Sequence, residues 1–430
     1  MKYKFSDRVI DSSHPEFSFF LSQSHAQKYR PLCLCHDKGI PMYIAHIDGG
    51  RFIIKRMPDT GVDHDPACES YEMPSAISGL GEVHSAIREN IEDGTTSLKL
   101  GFSLQKSDGK APEPSGAVHD SVKTDGSKLG LRALFHLLWE ESQLNKWIPA
   151  MAGKRSWPVV RKYVLQAAAS MRTKSQSLQE VLYIPEQWSV EQKNYIDNRR
   201  CLHLAKYLST GSGKRKLVVL IGELKELSQS RFAGKVAIKH LPDFHFNVPQ
   251  DLENRLKKRF ETELGLWNSD DESHLMVIAT FTYDRSGATI EEASLVQLTS
   301  EWIPYESVFE KMLIDRLIAE HRPFVKGLRY NLATNKPLAS AVLTNTKDRP
   351  TALFIVPAGA TDGYGEVISD VTKNANMDAW IWNVEEGMPD LPHKRVAIAV
   401  PKHKEKEPQR ARDVAPEKNP FDDWEIPGLA

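Results

Sequence analysis

The chain has 430 residues, with 56 Lys and Arg against 57 Asp and Glu, which gives a formal net charge of −1. Hydrophobic residues make up 40% of it and charged residues 26%, which is the composition of a globular protein rather than of a disordered or fibrous one. The charge balance excludes a polycation of the histone type but allows a local basic surface. At this length we expect more than one domain.

No segment approaches the ~20 consecutive apolar residues that a membrane-spanning helix needs. The first residues, MKYKFSDRVIDSS, carry charge but lack the apolar run of a secretory signal. Four cysteines are too few for a disulfide scaffold in a chain of this length. We therefore expect a cytoplasmic protein without membrane contact.

The first part of the chain is predicted to be a β-rich domain at 1–102. Apolar and polar residues alternate through Pro41–Ile47 and Gly50–Lys55, and the glycine-containing connection between these segments predicts a hairpin. Residues 103–127 are rich in Gly, Pro, Ser and charged residues, with little apolar content. They are predicted to form a linker.

A helical region is predicted at 128–210. Apolar residues recur close to i, i+3, i+4 spacing in Leu129–Trp139, and the same pattern returns in Val159–Ala167. A third helix is expected near Ser189, because Gln192 follows it at the spacing of a capping box.

An α/β domain is predicted at 211–392, where strand and helix signals alternate. The predicted strands are Leu217–Ile221, Val236–Ile238, Phe244–Phe246, His274–Phe281, Ala339–Leu343, Ala352–Val356 and Trp380–Trp382, and the predicted helices are Leu252–Leu264, Tyr305–Glu320 and Tyr364–Ala375. The tail at 393–430 is polar and rich in Lys and Pro, so we expect it to be flexible. The expected fold class is α+β, with several domains.

Three cysteines and a histidine near the N-terminus have the spacing of a metal site. Cys33 and Cys35 form a C-x-C pair, and His64 and Cys68 form an H-x-x-x-C pair on the far side of the predicted hairpin. Structural zinc sites are built from two such pairs, because Zn²⁺ takes four sulfur or nitrogen ligands in a tetrahedron. Four protein ligands leave no open position for a substrate. The sequence therefore predicts a structural zinc ion that stabilises the N-terminal domain.

Other interpretations of these residues remain open. His36 is an alternative to His64 as the fourth ligand, and His46 is a weaker one. Buried thiols without a metal would also fit, since free cysteine is often buried. Cys201 lies alone in a predicted helix, so we expect it to be a core residue.

Several segments resemble a bacterial family of unknown function. They are Leu32–Cys35, Lys55–Pro58, His64–Tyr71, Ala152–Trp157 and Phe324–Tyr330. That family has three N-terminal cysteines and occurs with integrative and conjugative elements. The resemblance implies a mobile-element setting and supplies no activity.

Basic residues in the helical region indicate a nucleic-acid interface. Lys154 and Arg155 precede the predicted helix that carries Arg161 and Lys162. Free backbone N–H groups at a helix start, together with Lys and Arg, can hold a phosphate. Two helices followed by the strand-like Val181–Ile184 are compatible with a winged-helix module. The alternative is an ordinary helical region with a solvated charged face.

The C-terminal order of elements resembles the core of restriction-endonuclease-like nucleases. That resemblance implies a helix Glu, a Pro-Asp on one strand and a Glu-x-Lys on the next, whose carboxylates hold Mg²⁺. Glu320 could be the helix Glu, but Leu338 replaces the Asp and the apolar Leu353–Ile355 replaces the Glu-x-Lys. We therefore expect an inactive nuclease-like fold that could still bind nucleic acid through Lys326 and Arg329. The alternative is an unrelated α/β domain in which Glu320 is a surface residue of a helix.

Aromatic and acidic residues are mixed near the C-terminus, at Phe421, Asp422, Asp423 and Trp424. Such a segment on a flexible tail can dock into the pocket of a protein partner. The alternative is an unstructured tail of chance composition.

The sequence as a whole predicts a non-catalytic, zinc-stabilised DNA-binding or DNA-transfer accessory protein of a bacterial mobile element. One rival is a divalent-metal-dependent nuclease that uses Asp315, Glu320 or Asp348. Another is a protein–protein adaptor that acts through the C-terminal tail. The nuclease would cleave DNA with Mg²⁺, whereas an adaptor would lack the salt-sensitive binding that phosphate contacts produce.

Overall fold

A computed structural model describes residues 1–47, 50–106, 126–174, 176–209, 213–228, 234–347, 349–360 and 363–395. The α-helices in these ranges are α1 Phe17–Ala26, α2 Leu131–Glu141, α3 Trp157–Ala169, α4 Leu178–Val181, α5 Lys193–Ala205, α6 Gln250–Arg259, α7 Glu261–Ser269, α8 Val308–Ala319 and α9 Gly363–Asn374. The fold is therefore mixed α+β, as predicted.

Within the described ranges, the strands fall into three larger sheets and two smaller ones. Their bounds are β1 Lys2–Phe5, β2 Arg8–Asp11, β3 Leu32–Cys33, β4 Ile40–Ile47, β5 Arg51–Arg56, β6 Ile87–Glu89, β7 Thr96–Leu98, β8 Gln105–Lys106, β9 Lys146–Trp147, β10 Met171–Thr173, β11 Gln176–Ser177, β12 Leu182–Tyr183, β13 Arg215–Lys216, β14 Val218–Ser228, β15 Gly234–Ile238, β16 His245–Val248, β17 His274–Asp284, β18 Gly287–Leu298, β19 Pro304–Tyr305, β20 Phe324–Lys326, β21 Ala339–Leu343, β22 Thr351–Val356 and β23 Asp378–Asn383.

The N-terminal sheet has the strand order β2-β1-β3-β4-β5. The predicted hairpin is confirmed, because β4 and β5 pair antiparallel with Ile44 opposite Ile54. Helix α1 packs against these two strands and buries Phe20 and Leu21. The period-2 alternation of the hairpin thus turns one face of the sheet toward the core.

A closed ring of strands forms the second sheet. β14 pairs antiparallel with β15 and with β17, β15 pairs antiparallel with β16, and β17 pairs antiparallel with β18. β16 and β18 close the ring by pairing parallel. The result is a five-stranded barrel in the order β14-β15-β16-β18-β17, with α6 and α7 connecting β16 to β17. β12 and β19 extend the same sheet beyond the barrel.

Strand β14 serves two neighbours because it changes partner half way. Residues 218–223 pair with β17, whereas the second half pairs with β15 after a register shift between Leu224 and Glu226. Gly222 lies just before this shift, and a Cβ atom there would come 2.6 Å from Cγ2 of Ile238. Glycine therefore allows β14 and β15 to approach closely at the bend.

A third sheet has the strand order β23-β22-β21-β20-β9. β20, β21 and β22 pair antiparallel in succession, and β23 returns parallel to β22 after helix α9. Helix α8 precedes β20. This order of elements is the one on which the nuclease resemblance rests, and the resemblance itself stays a prediction.

Strand pairings cross the boundaries predicted from the sequence. β7 of the predicted N-terminal domain pairs with β10 of the helical region, and β9 of that region pairs with β20. Residues 105–106 of the predicted linker form β8, which pairs with β13, while 107–125 lie outside the described residues. Met1–Arg395 form one compact unit. The predicted division into domains is therefore not confirmed.

The predicted winged-helix arrangement is also not confirmed. Helices α2 and α3 are present and pack together. The strand expected to form the wing is β12, and it pairs parallel with β14 at the edge of the barrel sheet. Within the ranges described, no helix is both long and apolar enough to cross a membrane.

Candidate functional site

The first pair of candidate ligands is held by the N-terminal sheet. Cys33 ends β3, where it lies between Tyr3 of β1 and Ile40 of β4. Cys35 follows in the turn that leads to β4. Gly39 closes this turn with φ +70°, a left-handed conformation that glycine adopts without strain.

The second pair lies on a chain of tight turns after β5. His64 follows a 3₁₀ turn at Gly61–Asp63. The backbone N–H of Cys68 donates to the carbonyl oxygen of Asp65 at 2.7 Å, and the N–H of Ala67 donates to Oδ1 of the same aspartate at 2.9 Å. Asp65 thereby fixes the spacing between the histidine and the cysteine.

The four side chains converge. The Sγ atoms of Cys33 and Cys68 lie 3.8 Å apart, and Nδ1 of His64 lies 3.3 Å from Sγ of Cys35 and 3.6 Å from Sγ of Cys68. All four ligand atoms lie within 4.8 Å of one another. The cluster could therefore hold a metal ion, and the ligand set predicted from the sequence is the one that the fold brings together.

The cluster is largely buried. Cys33 is fully buried, Cys68 and His64 are nearly so, and Cys35 is half-buried. The hydrogen bond between the two buried thiols lowers the pKa of Cys33 and raises the pKa of Cys68 to about 12, with burial adding to the latter shift. A bound metal would favour the thiolate form of both cysteines, because ligating thiols are deprotonated.

The cluster is part of an apolar core that joins two sheets. Cys33 and Cys68 pack among Tyr3 and Phe5 of the N-terminal sheet and Phe354 of the third sheet. The backbone N–H of Ser70 also donates to Sγ of Cys68, at 3.4 Å. Ligand geometry and packing are therefore linked, as expected of a structural site.

The alternative ligands lie elsewhere. His36 is exposed in the turn after Cys35 and is not a member of the cluster. His46 is exposed on β4, with its ring 4.8 Å from that of Phe52. Cys201 was predicted to be a core residue, and this prediction is wrong. It lies exposed on α5, whose buried face carries Ile196 and Leu204 instead.

Three of the predicted nucleic-acid-binding residues point into the protein. Nζ of Lys326 is buried 2.8 Å from Oε1 of Glu310, and Arg329 forms a close ion pair with Glu306. The guanidinium group of Arg155 donates to three backbone carbonyl oxygens. These donors are satisfied inside the fold, so a phosphate would have to displace existing contacts to reach them.

The other predicted basic residues lie at the surface. Lys154 and Lys162 are exposed, and Nζ of Lys162 lies 5.9 Å from the ring centroid of Tyr163. Arg161 is half-buried and donates to the carbonyl oxygen of Ile184 at 3.0 Å. The sequence pattern alone does not separate these residues from the buried ones.

A basic pocket not predicted from the sequence lies between α3, β12 and α5. It is a cavity of about 260 Å³ whose wall includes Arg161, Arg199 and Arg200 beside the rings of Tyr183 and His203. In this wall Arg199 donates to both carboxylate oxygens of Glu186, from Nε to Oε1 at 2.9 Å and from a terminal guanidinium nitrogen to Oε2 at 2.7 Å. The sequence did contain a signal for this pocket. Arg199 and Arg200 precede His203 by four and three residues, a spacing that brings each of them to the helix face of His203.

The candidate nuclease carboxylates do not gather into a site. Glu320 accepts from Arg316 at 2.9 Å, and Asp315 is paired with Lys311 at 2.8 Å on the same helix. Asp348 lies outside the described residues. Within the described part of the chain, the Cys–His cluster is the one group of three or more Asp, Glu, His or Cys side chains close enough to hold a metal.

The predicted docking segment, with Phe421, Asp422, Asp423 and Trp424, lies outside the described residues. The adaptor hypothesis therefore stays a prediction.

Fold and cluster together define a mixed α+β protein with a Cys₃His group near its N-terminus. A family model described as "Protein of unknown function (DUF1173)" matches residues 3–385, so the chain belongs to that family. The match spans the cluster, the barrel and the third sheet. No curated protein and no solved structure matches the chain. Membership agrees with the resemblance to a family of unknown function, while the mobile-element setting stays a prediction.

Proposed function

We propose that the chain is a non-catalytic protein that a structural zinc ion stabilises and that binds single-stranded DNA in an accessory role. The observation that carries the DNA-binding part is the connectivity of the barrel. The mobile-element setting rests on the family resemblance alone.

The spacing of the four ligand atoms supports zinc as the metal. Zn–S bonds of about 2.3 Å and Zn–N bonds of about 2.0 Å in a tetrahedron place two sulfurs about 3.8 Å apart and a sulfur and a nitrogen about 3.5 Å apart. The Cys33–Cys68 distance is 3.8 Å, and the two distances from Nδ1 of His64 are 3.3 and 3.6 Å. Mixed thiolate and imidazole ligands also suit Zn²⁺.

The barrel supports single-stranded nucleic acid as the ligand. If its strands are numbered along the chain, their order is 1-2-3-5-4, strands 3 and 5 are parallel, and helices connect strands 3 and 4. This is the connectivity of an OB-fold. OB-folds bind oligonucleotides and oligosaccharides on the face of strands 2 and 3 and on the adjoining loops.

The corresponding face of this barrel carries basic and aromatic groups. Lys235 on β15 and His245 on β16 are exposed, while the intervening Val236 and Phe246 point into the barrel. Phe244 lies half-buried just before β16. A groove for single-stranded DNA needs positive side chains that contact the phosphates and aromatic rings on which the bases stack.

The basic pocket adjoins this face. The guanidinium group of Arg200 lies 5.1 Å from the ring centroid of Phe244. The same arginine lines the pocket with Arg161 and Arg199. A strand crossing the barrel at β15 and β16 would therefore continue onto α5.

Fluorescence anisotropy with a labelled oligothymidylate tests this proposal. We expect saturable binding that weakens steeply between about 50 and 200 mM salt, because bound phosphates release counterions. Each phosphate that a variant no longer neutralises should lower the slope of log K against log salt by about 0.7 for a single strand. Lys235→Ala and Arg199→Ala should each weaken binding and lower this slope.

Lys258→Ala is the matched control, since Lys258 is exposed on α6, a helix that contributes no residue to the proposed groove. It should leave both affinity and slope unchanged. Binding that is absent, or that Lys258→Ala weakens as much as Lys235→Ala does, would contradict the proposal. Duplex DNA of equal length should bind more weakly, because its bases are not free to stack on the protein.

The non-catalytic part is tested by incubating DNA with the protein and Mg²⁺ or Mn²⁺. Glu320 and Asp315 are each paired with a basic side chain of the same helix and belong to no metal-binding group among the described residues, which supports the absence of cleavage. Cleavage that Glu320→Ala abolishes would instead establish the nuclease.

A further inference from the structure

A second cavity, of about 220 Å³, lies between β5, the end of α2 and the turn that follows Cys68. Lys55 and Arg56 from β5 and Glu140 and Glu141 from α2 contribute to its wall. None of these residues belongs to the metal cluster or to the proposed DNA-binding surface. The cavity therefore needs an explanation of its own.

Negative charge predominates in the wall. Glutamates outnumber basic side chains by five to three, and the glutamates are Glu69, Glu72, Glu89, Glu140 and Glu141. Burial, together with the neighbouring Glu72, raises the pKa of Glu140 to about 7, and burial also raises the pKa of Glu89. Carboxylates crowded in this way are stabilised by any positive group that joins them.

The basic side chains in the wall are already engaged. Arg56 forms a close ion pair with Glu72 and a second one, at 3.5 Å, with Glu89. Nζ of Lys146 donates to the backbone carbonyl oxygen of Glu69. Nζ of Lys55 lies 3.9 Å from Oε2 of Glu141. An anionic ligand would therefore have to displace existing contacts, whereas a cationic ligand meets acceptors on Asn145 and Glu89 that have no partner among the described residues.

Two buried acceptors in the wall lack a donor. Asn145 is 1% exposed, and its Oδ1 atom has no hydrogen-bond partner among the described residues. Oε2 of Glu89 is also buried without a hydrogen-bond partner among the described residues. Buried polar atoms are normally paired, so unpaired acceptors at a cavity wall indicate a ligand that brings donors.

The arrangement does not suit a metal ion. A divalent cation needs several carboxylate oxygens converging on one point. The wall glutamates do not converge, because the Cys–His cluster is the one such group within the described ranges. N–H donors spread along a small molecule can instead reach acceptors that lie apart.

We propose that this cavity binds a small organic cation whose amino or guanidino groups donate to Asn145, Glu89 and Glu141. The volume is below the about 300–1,000 Å³ of typical drug-sized ligand pockets, which indicates a ligand of few atoms. This site is independent of DNA binding.

Isothermal titration calorimetry on the zinc-loaded full chain tests the proposal, with agmatine and putrescine as probes and succinate as the anionic counterpart. We expect saturable binding of agmatine or putrescine and none of succinate. Glu141→Gln and Asn145→Leu should each weaken binding about tenfold or more. Glu92→Gln, which changes an exposed glutamate outside the wall, should not.

If Asn145→Leu does not fold, as thermal melting would reveal, Glu141→Gln carries the comparison alone. No saturable heat from either amine at millimolar concentration would overturn the proposal, and the unpaired acceptors would then be satisfied by water. Binding that Glu141→Gln leaves intact, or equal binding of succinate, would overturn it as well.

Discussion

The N-terminal sheet and the barrel reach stability by different routes. In the barrel, β17 and β18 run for 11 and 12 residues, and β17 buries eight consecutive side chains. In the N-terminal sheet, β3 has two residues and β1 four, and the core includes two cysteine side chains. Long apolar strands supply their own burial, whereas in our proposal the short strands around the Cys₃His cluster gain their stability from a bound ion.

This contrast teaches that one chain combines two kinds of stabilisation that respond to different changes. Structural zinc contributes about 10–16 kcal/mol of apparent binding free energy in small zinc-finger peptides. Burial in the barrel is divided among many side chains, each worth about 1.5–3 kcal/mol. A change at the cluster should therefore remove much at once, whereas a change in the barrel should remove little.

The largest effect is expected from Cys68→Ser. Losing one of four ligands should abolish stoichiometric zinc and remove several kcal/mol of stability, because the metal no longer offsets the cost of ordering the turns. Cys201→Ser is the control, since this cysteine is exposed on α5. Metal analysis and thermal melting check both variants, and equal behaviour would break the contrast between cluster and surface.

A smaller loss is expected from Lys326→Ala, which leaves Glu310 buried without its ion-pair partner. Removing one partner of a buried pair costs about 3–5 kcal/mol. Zinc content should stay at one per chain, because this pair does not contact the cluster. Denaturant unfolding combined with metal analysis checks the prediction, and zinc loss in this variant would show that the third sheet and the cluster are coupled.

Acid should weaken the barrel side independently of zinc through His136, on the helix α2 that packs against β17 and β18. Burial, with Arg132 nearby, lowers its pKa from 6.5 to about 3, and its Nδ1 accepts from the backbone N–H of Tyr330. In the unfolded state His136 binds a proton below about pH 6.5, whereas in the folded state it binds one only below about pH 3. Stability therefore falls as the pH drops through this window.

By pH 5 the contribution of His136 should reach about 2 kcal/mol. His136→Asn keeps an acceptor near the position of Nδ1 and cannot take the proton. Its stability should depend less on pH between about 6.5 and 5 than that of the wild type. Identical pH profiles in urea unfolding would count against this role.

The smallest effect is expected from Ile278→Val in β17, where Ile278 is fully buried. Loss of one methylene costs about 0.5–1.5 kcal/mol. The variant should bind zinc and DNA normally. A loss as large as that of Cys68→Ser, measured by the same unfolding curve, would mean that the barrel and not the metal dominates stability.

The cluster could be predicted because its determinants are local. Cys33 and Cys35 share one turn, His64 and Cys68 share another, and a hairpin with readable alternation joins them. Residue type and spacing are therefore enough to name the ligands. The same holds for the hairpin itself.

The barrel could not be predicted because its closure depends on distant pairings. The sequence pattern does not predict β18 as a strand. It also predicts that β14 ends at Ile221, so it misses the second half of this strand, which pairs with β15. The side chains of Lys326 and Arg155 likewise point inward because of partners elsewhere in the chain. Their charge alone predicts that they lie at the surface. Local patterns carry no information about such partners.

Zinc K-edge X-ray absorption on the freshly purified, reduced full chain tests the central claim most directly. We expect about one zinc per chain, with three sulfur ligands at about 2.3 Å and one nitrogen at about 2.0 Å. Absence of stoichiometric metal, or a shell made only of oxygen and nitrogen, would contradict the account.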